Sequence, residues 1–131
     1  MANRKIIPAI AGYTKVETVS FVQMRIMSNT TWASRACVAL YEHQTVAEKR
    51  NALSSGHNGW GFNRVDSPYL SRLAKRIRRK QAMPEEIEAA RSRLRKYARQ
   101  LICLAHEKDS GKVLKRQLDY YYKNEKNKIP F

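Results

Sequence analysis

A chain of 131 residues, 43% of them hydrophobic, has room for one domain with a modest core. Its 26 Lys and Arg against 11 Asp and Glu leave a net charge of +15, which opposes compaction by self-repulsion unless an anionic partner offsets it. No run of about 18 apolar residues occurs, and the apolar stretch near the start is short and broken by Pro8, so neither a membrane span nor a signal peptide is expected and a cytoplasmic location is.

Residues 1–13 are mixed, hold Pro8 and Gly12, and read as an irregular N-terminal arm. In "TKVETVSFVQMRIMSN" Val22, Met24 and Ile26 alternate as in a strand, whereas Val16, Val19, Val22 and Ile26 keep helical spacing. Thr14 with Glu17 three residues on makes a capping box and tips the reading toward helix. "SNTTWASRACVALYEHQ" offers Asn29 or Thr30 as a cap and then Trp32, Ala36, Ala39 and Leu40 on one face, a helix of about 12 residues. "TVAEKRNAL" repeats the box with Thr45 and Glu48 and is expected to open another short helix.

A glycine-rich passage, "SSGHNGWGFNRVDSPYL", follows and ends at Asp66, Ser67 and Pro68, where Asp or Ser can accept first-turn amide hydrogens and Pro suits the first position of a helix. "PYLSRLAKRIRRK" is that helix. "QAMPEEIEAARSRLRKYARQLICLAHEK" opens with Pro84, Glu85, Glu86 and Glu88, and Ile87, Ala90, Leu94, Tyr97, Leu101 and Leu104 then form a stripe along one long helix. "GKVLKRQLDYYYKNEKNKIPF" places Val113, Leu114, Leu118 and Tyr121 or Tyr122 on a face before a Lys- and Asn-rich end.

The expected fold is therefore all-α, a small orthogonal bundle of four to six helices with a Gly-rich central loop and a flexible basic C-terminal tail. Residues 14–122 would form the single helical domain and 123–131 the tail. Cys37 and Cys103 sit in apolar helical patterns without a CxxC partner and read as buried free thiols rather than metal ligands.

The basic residues fall unevenly: 8 basic and 4 acidic groups in residues 1–66, against 18 and 7 in 67–131. With Leu70, Leu73 and Ile77 facing inward, Arg72, Lys75, Arg76 and Arg79 lie on the outer half of their helix, and Lys80 follows them. Farther on, Arg91, Arg95 and Arg99 recur every fourth residue with Arg93 and Lys96 beside them. Like charges at that spacing oppose the helix slightly and are better tolerated under something anionic. From 72 to 99 arginines outnumber lysines 8 to 3, and guanidinium forks bind phosphate bidentately. The alternative for either stripe is a solvated face.

Two readings of the glycine-rich passage stay open. Trp60 and Phe62 could plug the junction between helices while Gly56, Gly59 and Gly61 bend the chain; or Trp60 could offer a stacking face for an unpaired base, with His57, Asn58 and Asn63 as polar contacts. Phe62 is expected in the core in both.

"NGWGFNRVDSPYLSRLAKRI", a later Pro-started helix ending "ARSRLRKYARQL", and the preceding "WASRACVALYEHQT" together resemble a small helical module found in proteins of phages, plasmids and other mobile elements. The resemblance spans about residues 29 to 104. It implies a mobile-element origin, a host-cell cytoplasm, and structural roles for Gly59, Gly61, Phe62, Asp66, Tyr97 and Leu101.

His43, His57 and His106 are scattered, most glutamates sit at helix starts, and no phosphate-binding loop, nucleophile elbow or zinc spacing occurs. No enzyme, cofactor or metal site is expected. Three readings follow: nucleic-acid binding through arginine-rich helices, with DNA or RNA undecided; inhibition of an acidic host defence complex, as by an anti-CRISPR protein; and a structural part of a ribonucleoprotein, which the mobile-element resemblance disfavours.

Overall fold

The computed structural model describes residues 7–50 and 61–124, and it is all-helical over them apart from turns and short connections. The first helix, α1 (Lys15–Ser28), starts as the capping box requires: Thr14 Oγ1 accepts the Glu17 amide at 3.0 Å and Glu17 Oε1 accepts the Thr14 amide at 2.9 Å. It buries Thr18, Phe21, Val22 and Ile26, while Val16, expected on that face, points to solvent and is 75% exposed.

Asn29 opens α2 (Thr30–Arg50) by accepting the Trp32 amide on its side chain at 3.0 Å. Where two helices were expected there is one of 21 residues. Thr45 carries no break because a capping box acts only where the chain has already left helical geometry, and neither Gly nor Pro interrupts the ladder there. Ala33, Ala36, Cys37 and Leu40 are buried along α2, and it touches α1, α3, α4 and α5, so the bundle is assembled around it.

The α3 helix (Ser67–Arg78) buries Leu70, Leu73 and Ala74 with Ile77 half-buried, as its pattern requires. Its start differs from expectation, because the Asp66 side chain makes no capping bond. Asn63 caps the approach instead, its Oδ1 accepting the Asp66 amide at 2.8 Å. The helix closes on Lys80, which takes the left-handed conformation (φ 59) while the Gln81 amide reaches back to the Arg76 carbonyl.

The expected long helix is interrupted. Helix α4 (Pro84–Leu94) buries Ile87, Ala90 and Leu94, the chain tightens into a 3-10 turn over Arg95–Tyr97, and α5 (Ala98–Asp109) resumes on a shifted face. Ala98 and Ile102 are buried in α5 while Leu101 and Leu104 are only half-buried. The turn coincides with Tyr97, whose ring and hydroxyl are both held by the 61–66 segment.

After Ser110 (φ 61) and Gly111 (φ 78), α6 (Lys112–Asn124) runs back, its first turn tied to Asp109, whose carboxylate accepts the amides of Gly111, Lys112 and Val113. Leu114 and Leu118 are buried; Val113, expected with them, is 48% exposed. Residues 7–13 are irregular, as expected, and also contribute to the core: Ile7 and Ile10 are buried, Tyr13 donates to Asp119 and lies against Tyr122. Burial and the Asp119 carboxylate push the Tyr13 hydroxyl up to about 12, so it stays a donor across the physiological range. Both cysteines are buried and neither is in a disulfide, and burial pushes the Cys37 thiol up to about 12. The basic tail from residue 125 on lies outside the described residues.

A Cβ at Gly111 would meet Ile10 Cδ1 at 2.9 Å on a backbone that L-residues avoid. Gly111→Ala is expected to cost about 1–2 kcal/mol in urea denaturation. It should also speed hydrogen exchange in α6 before α2, and equal loss of protection in both helices would count against the close approach.

Candidate functional site

Gly61, Phe62 and Asp66 are buried in the bundle while residues 63–65 between them are exposed, and the segment is held by hydrogen bonds to α2, α5 and Tyr97. Gly61 pairs with Gln100 in both directions, its amide on Oε1 at 2.8 Å and its carbonyl accepting from Nε2 at 3.2 Å. Gln44, buried on α2, accepts the Phe62 amide at 2.8 Å. Phe62 is in the core, edge-on to Tyr97 with ring centres 5.7 Å apart.

Tyr97 links this loop to the basic helices. Its hydroxyl accepts the Asn63 amide at 3.0 Å and donates to Asp66 Oδ2 at 2.6 Å. Asp66, 1% exposed, also receives Arg93 Nη1 at 3.1 Å and Lys96 Nζ at 2.7 Å. Desolvation pushes its carboxyl up, but the hydrogen bonds from Lys96 and Tyr97, the Lys96 charge and the Arg93 bond outweigh that and leave it below its ordinary value. Burial and the neighbouring carboxylate raise the Tyr97 hydroxyl well above its usual range, so it remains protonated. A buried carboxylate that receives three donors is well satisfied and is held ionised by them.

The basic residues singled out in the sequence divide into two groups. Arg76 forks onto Glu86, Nε and Nη2 at 3.1 and 3.0 Å, and also donates to the Gln81 carbonyl, so it fastens the end of α3 to the start of α4. Lys96 is held on Asp66 and lies over the Tyr97 ring. Arg91 turns under the α1–α2 junction, donating to Thr30 Oγ1 at 2.8 Å with its Nε buried and unbonded. Asn63, expected as a polar contact, is exposed, but its Oδ1 accepts the Asp66 amide and its own amide donates to the Tyr97 hydroxyl. These four serve the fold, and the i, i+4, i+8 line of Arg91, Arg95 and Arg99 is broken by the 3-10 turn.

The other group is open. Arg72, Lys75, Arg79 and Lys80 are exposed on α3 and at its end, Arg95 is exposed on the 3-10 turn and Arg99 at the start of α5. None of the six is in an ion pair among the described residues. α3 carries no acidic residue. Arg72 lines a groove of about 410 Å³ between α3 and α4 with Tyr69, Glu85 and Ala89, and Arg93 sits over the half-exposed Tyr69 ring at 5.0 Å. Sequence reading passed over Tyr69, whose signal was its place one turn before Arg72. Trp60 lies outside the described residues. No protein-family model, curated protein or solved structure matches the chain.

Two outcomes follow from the Tyr97 network. Tyr97→Phe removes a donor to a buried carboxylate and an acceptor for a backbone amide, and should cost about 2 kcal/mol in chemical denaturation with the basic surface intact. Because the native Asp66 value lies below the unfolded 3.8, its stabilisation is full above that pH and is lost as pH falls through the native value. Asp66→Asn should thus flatten the acid limb of a stability-against-pH curve, and an unchanged limb would refute the assignment. Gly61→Ala, with φ +82 and a Cβ 2.5 Å from Gln44 Cβ, should cost at least about 2 kcal/mol as read by thermal denaturation.

Proposed function

We propose that this protein binds nucleic acid through phosphate contacts along the outer face of α3, reading the backbone rather than the bases. The observation that carries the reading is the run of exposed cations Arg72 and Lys75 on α3, an element with no acidic residue, and Arg79 and Lys80 just past its end, with no ion pair for any of the four among the described residues. Cations in the last turn favour the helix terminus by a few tenths of a kcal/mol each, but Arg72 lies too far from that end to gain by it. A polyanion laid along the face would release counterions at each contact and offset part of the +15 charge.

Most of the chain's own acids are not free to do this. Glu42, Asp66, Glu86 and Asp119 are in ion pairs, and Glu17 and Asp109 hold backbone amides. Tyr69 offers a ring beside Arg72 on which a base could stack. The likeness of residues 29–104 to mobile-element modules supports a phage or plasmid setting in a host cytoplasm.

The triple variant Arg72→Gln, Lys75→Gln, Arg79→Gln should keep its helical circular dichroism. Its affinity for a fluorescein-labelled oligonucleotide should fall roughly tenfold or more, and the slope of log affinity against log salt should drop by about 2.7 if all three touch phosphates of a duplex. An unchanged slope rules out α3 as the contact. Recovery of one defined protein from nuclease-treated host lysate, with no oligonucleotide binding at all, would replace this reading by that of a protein inhibitor.

A further inference from the structure

On the far side of α2 from α3 lies a second surface, an open trough of about 490 Å³ between α2 and α5. Its first wall is Trp32, Arg35, Ala36 and Ala39, spaced i, i+3, i+4 and i+7. Its second is Leu101, Leu104, Ala105 and Lys108 with the same spacing. A smaller hollow of about 220 Å³ by Val22 and Leu114 continues it, sharing Trp32 and Leu101. Trp32, Leu101 and Leu104 pack against the core on one side and are only half-buried, so each leaves part of its apolar side chain open to the trough.

We propose that this trough binds an amphipathic helix of another protein, with an apolar ridge flanked by acidic residues. Two rows at helical spacing, each with small alanines among larger side chains, form a groove into which the ridge of a third helix fits. The charge at the rim sets the sign of that helix. Arg35 and Lys108 stand exposed on opposite walls and in no ion pair among the described residues, and Arg25 lies over Trp32 at 5.8 Å. The acid of the lining, Asp109, has both oxygens on the amides that start α6. A second copy of a +15 chain would bring cations against cations, and nucleic acid would strip water from its phosphates against alanine and leucine walls. The site is separate from α3 and does not depend on the nucleic-acid reading.

The test uses the full chain and a labelled synthetic helix of about five turns, with leucines at i, i+3, i+4 and i+7 and glutamates elsewhere, read by fluorescence anisotropy. The control has the same composition with the leucines scrambled. The patterned peptide should bind at least about tenfold more tightly than the control. Ala39→Trp, which fills the trough, and the exposed pair Arg35→Glu with Lys108→Glu should each weaken it about tenfold, while the triple α3 variant leaves the preference for the patterned peptide intact. The charge pair keeps the test decisive if Ala39→Trp fails to fold.

Equal binding of both peptides, or binding indifferent to the charge pair, would overturn the proposal. So would an oligonucleotide whose binding is lost in the charge pair and kept in the α3 variant, which assigns the trough to nucleic acid. A dimer in sedimentation that Ala39→Trp dissociates would assign it to a second copy.

Discussion

The hydroxyl of Tyr97 is the contact on which most of the architecture rests. It satisfies a backbone amide in the loop and a buried carboxylate at the head of α3, from a residue lodged between α4 and α5. A buried carboxylate is expensive unless it is paired and hydrogen-bonded, and here one phenol, one ammonium and one guanidinium do both. The two cations remain half in water, which keeps their own desolvation small. The loop, α3 and the α4–α5 corner are thereby fixed to one another by a single polar cluster, with Phe62 packed beside it as an apolar plug.

That arrangement also explains how so basic a chain stays folded. The carboxylates are set where they do structural service: Asp66 under the α4–α5 corner, Glu86 across the α3–α4 connection, Asp119 against Tyr13. Cations are left over chiefly where the chain meets solvent. The consequence for the sequence pattern is that a row of arginines at regular spacing is two populations: Arg91 and Arg93, two residues apart on α4, leave the helix toward Thr30 and toward Asp66.

The all-helical class, the capping box of α1 and the inward stripes of α3 and α4 were legible, since each depends on residues within one or two turns. Phe62 was legible too, as a large apolar ring between small and polar neighbours. What escaped depended on distant partners. Asp66 has the local chemistry of a cap, and only the fold brings Tyr97, 31 residues on, to claim its side chain. The unbroken course of α2 was hidden by a capping box that is inert inside a helix, and the 3-10 turn carries neither Gly nor Pro to announce it. For the candidate surface, spacing found the cations and could not say which were paired. The α2–α5 trough was invisible because an apolar row that meets no neighbour is written in the same letters as one that does.

Residues 7–13 close the molecule at the other end. Ile10 fits against Gly111, and Tyr13 joins Asp119 and Tyr122. The earliest described stretch of the chain thus finds its seat only after α6 has been made. During synthesis the preceding helices can gather around α2 before Gly111, Asp119 and Tyr122 exist to seat Ile10 and Tyr13.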